Sequence, residues 1–206
     1  FMKGLKIKPI RNIIEVRETF DFFKGSFLHM TETEASVFLP MHEIYQTMVD
    51  NLENKKKIQY YAMMDEKVVG CVIGMVDDAA PNEMFLPVIA VDYRLRDAGI
   101  ATKLLETIIK RAKAIKVSRL KVRSSASSSG FFKRNGFNIY LYITCYAPLT
   151  IEDIKKANQN GLAIVAEDAE EVVVKFIAPK IDEKYLLPFK RKLKDMESDF
   201  MMEKRI

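Results

Sequence analysis

Cysteine is scarce in this chain: Cys71 and Cys145 are its two representatives in 206 residues. Both lie in apolar runs and no C-x-x-C spacing occurs. A disulfide framework and a cysteine zinc site are therefore excluded, and buried free thiols in a reducing compartment are expected. Histidine is as scarce, and His29 and His42 stand apart from any cysteine or paired carboxylate, so no metal site is expected. Long apolar runs are missing too. The longest, residues 68–76, is too short to span a bilayer, and the N-terminal residues lack the apolar core of a signal peptide. With Met2, behind Phe1, read as the natural start, the expectation is a cytoplasmic protein without a membrane partner. The serine run 124–129 lacks the G-x-S-x-G context of a nucleophile elbow and reads as a flexible connection. Neither G-x-x-x-x-G-K-[ST] nor G-x-G-x-x-G is present, and there is no internal repeat or low-complexity tract.

What is there begins with a chain that is 49% hydrophobic, enough for a sizeable core. A single domain over residues 1–206 is expected, with its core at about 5–178 and an amphipathic helical tail at 179–206. The net charge of +5 comes from 33 basic and 28 acidic residues interleaved along the chain. That pattern describes a solvated surface rather than a nucleic-acid footprint, while leaving a rim basic enough for a polyanionic cofactor.

Hydrophobic periodicity orders the elements. Residues 5–10 alternate as a strand, and Ile13, Val16, Phe20 and Phe23 follow at helical spacing. Pro40 opens a second helix reaching about Leu52. Residues 59–64 and 67–76 are strands separated by the hairpin signal Asp65-Glu66. Residues 84–91 form a nearly continuous apolar strand in which Pro87 removes a ladder bond, so a bulge or a parting of neighbouring strands is predicted there. Ala101, Leu104, Leu105, Ile108, Ala112 and Ile115 mark an amphipathic helix with cations in its last turns. Leu120 and Val122 alternate with Lys121 and Arg123 as a strand. Residues 131–135 end a short helix capped by Gly136, and strands follow at 137–146 and 172–177 with a helix at 151–160 between them. Pro188 starts the tail helix, with Phe189, Leu193, Met196 and Phe200 on one face. The order predicts an α/β (α+β) fold: a mixed, mostly antiparallel sheet of six to seven strands with helices on both faces.

Between the strand at 84–91 and the amphipathic helix lies the turn Arg96-Asp97-Ala98-Gly99-Ile100-Ala101. Exposed N–H groups and the positive dipole end at a helix N-terminus form an anion site, and Gly99 permits close backbone approach.

Residues 88–105, Val-Ile-Ala-Val-Asp-Tyr-Arg-Leu-Arg-Asp-Ala-Gly-Ile-Ala-Thr-Lys-Leu-Leu, resemble the central motif of the GNAT superfamily of acyl-CoA-dependent N-acyltransferases. Arg96, Gly99 and Ala101 match its signature [QR]-x-x-G-x-[GA]. Phe131-Phe132-Lys133-Arg134-Asn135-Gly136-Phe137 is similar to the family's aromatic-Tyr-x-x-x-Gly-Phe segment, and the two stand in the family's order. The resemblance implies acetyl-CoA as co-substrate. The amides of Arg96, Asp97, Ala98, Gly99, Ile100, Ala101 and Thr102 would hold its pyrophosphate, and backbone near Ile89, Ala90 and Val91 its pantetheine. It places further cofactor contacts at Ser125, Ser128, Phe131, Phe132 and Lys133.

The resemblance also implies direct transfer to a primary amine of a small molecule or peptide. An amine with a reference pKa of about 10.4 must lose a proton before it attacks. The family's frequent glutamate falls at Phe85, so Glu83, two residues earlier on the same strand face, is the candidate base. The family's acidic tyrosine falls at Phe132, and Tyr140 or Tyr142 are the stand-ins. These two phenylalanines keep open an acyl-CoA-binding sensor with little or no catalysis. A nucleotide-binding protein is a more distant alternative, and a homodimer is left open through the tail.

Overall fold

A computed structural model describes residues 4–29, 38–54 and 58–206. Its contacts divide the chain into two compact units, residues 1–122 with 205–206 and residues 123–204.

In the first unit the strands β1 (Lys6–Pro9), β2 (Gln59–Met64), β3 (Lys67–Met75), β4 (Glu83–Val91) and β5 (Arg119–Arg123) lie side by side in that order. All neighbours are antiparallel except β4 and β5, which run parallel. The β2–β3 turn is the two-residue loop Asp65-Glu66, with φ of 48° and 62°, the left-handed pair that matches strand twist. Helix α1 (Ile13–Phe27) starts at Asn12, whose side chain accepts the Glu15 N–H at 3.0 Å. Helix α2 (Met41–Glu53) follows Pro40. Their apolar stripes, with Val16, Phe23, Ile44 and Met48, pack on Cys71, Ile73, Val88 and Ala90 of the sheet.

Helix α3 (Ile100–Ala114) covers the opposite face, to which alternate residues of β3 point. A Cβ on Gly70 would stand 3.1 Å from Leu104, and one on Gly74 3.1 Å from Ile108, so the two glycines let α3 approach this closely.

The second unit contains α4 (Ala126–Arg134), β6 (Asn138–Cys145), α5 (Ile151–Ala157), β7 (Ile164–Asp168), β8 (Val173–Ala178), α6 (Leu187–Lys192) and β9 (Met196–Arg205). Its strands lie in the order β9-β6-β8-β7 and are antiparallel throughout. One face is apolar: Ile139, Leu141, Ile143, Val174 and Phe176 are buried, and Phe176 meets Phe189 of α6 at 5.4 Å between ring centroids. The other carries Tyr140, Tyr142 and Lys175.

The strands among the described residues number nine rather than six or seven. β7 is exposed along its whole length and lacks the alternating burial that betrays a strand. The tail is the larger correction. Its helix is confined to Leu187–Lys192, and Met196–Arg205 pairs with β6 from Asn138↔Glu203 to Cys145↔Met196. Met196 and Phe200, four residues apart, satisfy a two-residue period as well as a helical one, Met202 continues the two-residue period, and the open edge of β6 selects the strand. The serine run is corrected too. It is the first turn of α4, with Ser125 as N-cap accepting the Ser128 N–H at 3.3 Å.

Candidate active site

The site begins at a register change. Ile73 pairs with Val88 and Met75 with Phe85, so Gly74 alone faces both Leu86 and Pro87. This is a bulge with the extra residue on β4, where a proline costs no ladder bond. The same place ends the parallel ladder. β4 and β5 pair at Glu83↔Arg119, Met84↔Leu120 and Phe85↔Lys121 and no further, although β4 continues to Val91. Beyond Phe85, β4 keeps its partner on the β3 side, where Ile89, Ala90 and Val91 face Val72, Cys71 and Gly70. On the β5 side, alternate N–H and C=O groups of residues 86–91 are left for another partner.

Beyond β4 the chain makes a 3-10 turn, Tyr93–Leu95, capped by Asp92. Asp92 accepts from Arg94 Nε at 3.0 Å and Nη2 at 2.6 Å. The Arg94 hydrogen bond holds the Asp92 carboxyl below its usual range, and the nearby His29 adds to the effect. Asp97 then takes φ +63° and Gly99 φ +79°. Two left-handed residues turn successive amides toward one concave surface. Gly99 is the N-cap of α3 and brings no side-chain hydrogen bond to the first-turn amides. Those of Ile100, Ala101 and Thr102 lie at the positive end of a helix of 15 residues. Ile100 anchors the turn with a side chain 1% exposed, while residues 96–99 face solvent.

Beside the turn is a cavity of about 250 Å³ between the C-terminal end of α1 and the end of β4. Ser26, His29, Val91, Tyr93 and Arg96 are among its lining. The His29 and Tyr93 rings lie 4.0 Å apart, centroid to centroid. The sequence ranked His29 as an ordinary residue, and nothing local in it announces this stacking.

Glu83, expected as the base, is already occupied. Its Oε1 accepts from Arg119 Nη1 at 2.8 Å, and its Oε2 pairs with Lys121 Nζ at 2.6 Å. Neither cation was foreseen as a site residue, although the alternation of residues 119–123 put them on one strand face.

The residues expected from the second unit have the following places. The Tyr142 hydroxyl donates to Glu203, Glu203 pairs with Lys175 Nζ at 2.6 Å, and that ammonium sits 4.0 Å over the Tyr140 ring. Ser125 and Ser128 hydrogen-bond each other at 2.9 Å. Phe132 is 2% exposed, at 5.0 and 5.4 Å from the rings of Phe131 and Phe137. The ammonium of Lys133 donates to the Pro179 carbonyl at 2.6 Å. Among the described residues no group of three or more His, Cys, Asp or Glu could hold a metal ion, and no helix is long and apolar enough to cross a membrane.

A profile of the acetyltransferase (GNAT) domain matches residues 28–140, more than half of the chain, and spans β2 to β5, the turn and α3. The chain belongs to the GNAT family of acyl-CoA-dependent N-acetyltransferases. Solved structures share the fold. An acetyltransferase of the GNAT family from Streptococcus pneumoniae superimposes with a TM-score of 0.55 at 16% identity, covering 98% of this chain and 99% of that one. A ribosomal-protein-alanine N-acetyltransferase from Brucella melitensis gives 0.54 at 12% identity, over 98% and 99%. The PaiA N-acetyltransferase from Thermoplasma acidophilum, solved with coenzyme A, gives 0.53 at 12%, over 85% and 99%. No curated protein sequence matches the chain.

Proposed function

We propose that this protein transfers an acetyl group from acetyl-CoA directly to a primary amine, and that the turn at residues 96–102 holds the pyrophosphate of the co-substrate. The observation that carries this reading is the pairing of an α3 N-terminus without a side-chain cap, shaped by Asp97 and Gly99, with a β4 that loses its β5 partner at Pro87. The first offers amides and a dipole to an anion. The second offers strand-edge hydrogen bonds to an extended amide chain such as pantetheine, along Ile89, Ala90 and Val91.

Acetyl-CoA, when bound, supplies the acyl group as an activated thioester. The ammonium first gives up one proton, the freed amine nitrogen then forms the new C–N bond as the C–S bond breaks, and a second proton leaves the nitrogen for the thiolate or solvent. With both Glu83 oxygens engaged and an apolar Phe85, water is the first acceptor of the amine proton, and Glu83 serves to organise Arg119 and Lys121. A thiol with a reference pKa of about 8.5 departs as the thiolate without a tyrosine at the Phe132 position.

Thermal shift and thiol release test the reading together. Acetyl-CoA at 100 times its Kd is expected to add about 2.7 kcal/mol of stability, with no response to ATP or NAD. Free thiol should then appear with an amine. Stabilisation by ATP or NAD but not by acetyl-CoA would sink the reading. A second reading, an acyl-CoA sensor, is favoured by the buried Phe132, and it predicts stabilisation without turnover.

A further inference from the structure

The parallel register puts Glu83 and Phe85 beside Arg119 and Lys121. Alternation turns these four side chains to one face, while Met84 and Leu120, both fully buried, point to the other. Their face is that of α1 and α2. Phe85 pairs with Met75, whose sulfur lies 4.0 Å from the Thr47 hydroxyl of α2, and Met84 lies on the α3 side, next to Gly74 with Ile108.

Two cations here share one carboxylate. Arg119 and Lys121 each take one oxygen of Glu83, and among the described residues neither is ion-paired with a second carboxylate. One positive charge is left over. The three side chains are 34%, 27% and 21% exposed, too open for a core triad and too covered for three freely solvated groups. Glu83 and Arg119 stand on the first rung of the short β4–β5 ladder and Lys121 on its last, where the strands part.

We propose that Arg119 and Lys121 bind a carboxylate carried by the acceptor amine, so that the acceptor class is an amino acid or a short acidic peptide. The proposal rests on the acetyl-transfer reading above. A single carboxylate brings the cluster to neutrality, whereas a phosphate dianion would overshoot and a polyamine would meet like charge. Arg119 supplies a planar fork suited to a carboxylate, Lys121 a point charge, and Phe85 an apolar wall for the acceptor's carbon chain.

The test compares amino acids with the same amines lacking the carboxylate, alanine with ethylamine and phenylalanine with phenethylamine. Aspartate, a short acidic peptide, spermidine and phosphoethanolamine complete the panel. The carboxylated members are expected to react with kcat/KM at least about tenfold higher. Lys121→Met should raise KM for the carboxylated acceptor about tenfold and leave both KM for acetyl-CoA and the acetyl-CoA thermal shift unchanged, which also reports an intact fold. Lys121→Arg should keep the preference. A ratio near one, a preference for spermidine or phosphoethanolamine, or a Lys121→Met effect on acetyl-CoA instead would overturn the proposal and leave acetyl transfer standing. An absent acetyl-CoA shift, or a shift with no turnover of any amine, would overturn both.

Discussion

The sulfur of Met84 lies 2.8 Å from the point where a Cβ on Gly74 would stand, and the Ile58 carbonyl lies 3.0 Å from it. Gly74 also donates its N–H to that carbonyl at 2.8 Å, which ties the residue opposite the bulge to the start of β2. The methionine can swing aside, but the backbone carbonyl cannot. Gly74→Ala is therefore expected to lose about 1 to 3 kcal/mol through overpacking. Urea unfolding measures it, and a wild-type midpoint would show that the bulge is more yielding than its geometry suggests.

Gly99 holds φ +79° at the N-terminus of α3. An alanine there costs about 1 to 2 kcal/mol in the left-handed region and puts a methyl group where a phosphate would approach the backbone. Gly99→Ala should weaken acetyl-CoA binding about tenfold or more, by an energy of about 1.4 kcal/mol or greater. Titration calorimetry reads this directly. Unchanged affinity would place the pyrophosphate elsewhere.

Burial pushes the Cys71 thiol up to about 12 from an ordinary value of 9.0. Because the folded value is the higher one, the stabilisation is complete below pH 9 and is lost as pH rises toward 12. Across that window the loss approaches about 1.4 kcal/mol per pH unit. Tyr60 and Tyr61, also raised by burial, add to the alkaline slope, so the comparison is with Cys71→Ala. The variant should show the shallower fall between pH 9 and 10.5 in urea melts. Parallel slopes would mean that Cys71 meets solvent before the chain unfolds.

Glu203 and Lys175 are 6% and 13% exposed and pair at 2.6 Å. Removing the carboxylate takes from a largely covered ammonium and from the Tyr142 hydroxyl the acceptor they share, so Glu203→Ala should destabilise by about 3 to 5 kcal/mol. A Lys175→Met/Glu203→Leu double variant should recover most of the loss, since well-packed apolar residues replace buried pairs at little cost. A double variant as unstable as the single one would assign the effect to Tyr142, which donates to the same carboxylate.

Much of the frame was legible because its signals are local. Gly136 behind Asn135, Asp65-Glu66 between two apolar strands and Pro87 within a third each announce a cap, a turn or a bulge from neighbouring residues alone. The tail reads as a helix because Met196 and Phe200, four residues apart, fit both periods, and the choice rests with β6, about fifty to sixty-five residues away in sequence. Ser125 reads as loop for a related reason: a capping serine looks like loop until the helix behind it is counted.

The uncapped turn before α3 is a property of the chain itself. A glycine followed by an amphipathic run places unpaired amides at a helix start whatever surrounds them, so Gly99 and Ile100 could be read without a fold. Chemistry between distant residues could not. Whether Glu83 stands open or between Arg119 and Lys121 depends on the register of two parallel strands joined through α3, and one residue of slip would send both cations to the opposite face. Local preference therefore located the turn proposed to hold the cofactor, while strand pairing over long range set the charges on the β4–β5 ladder.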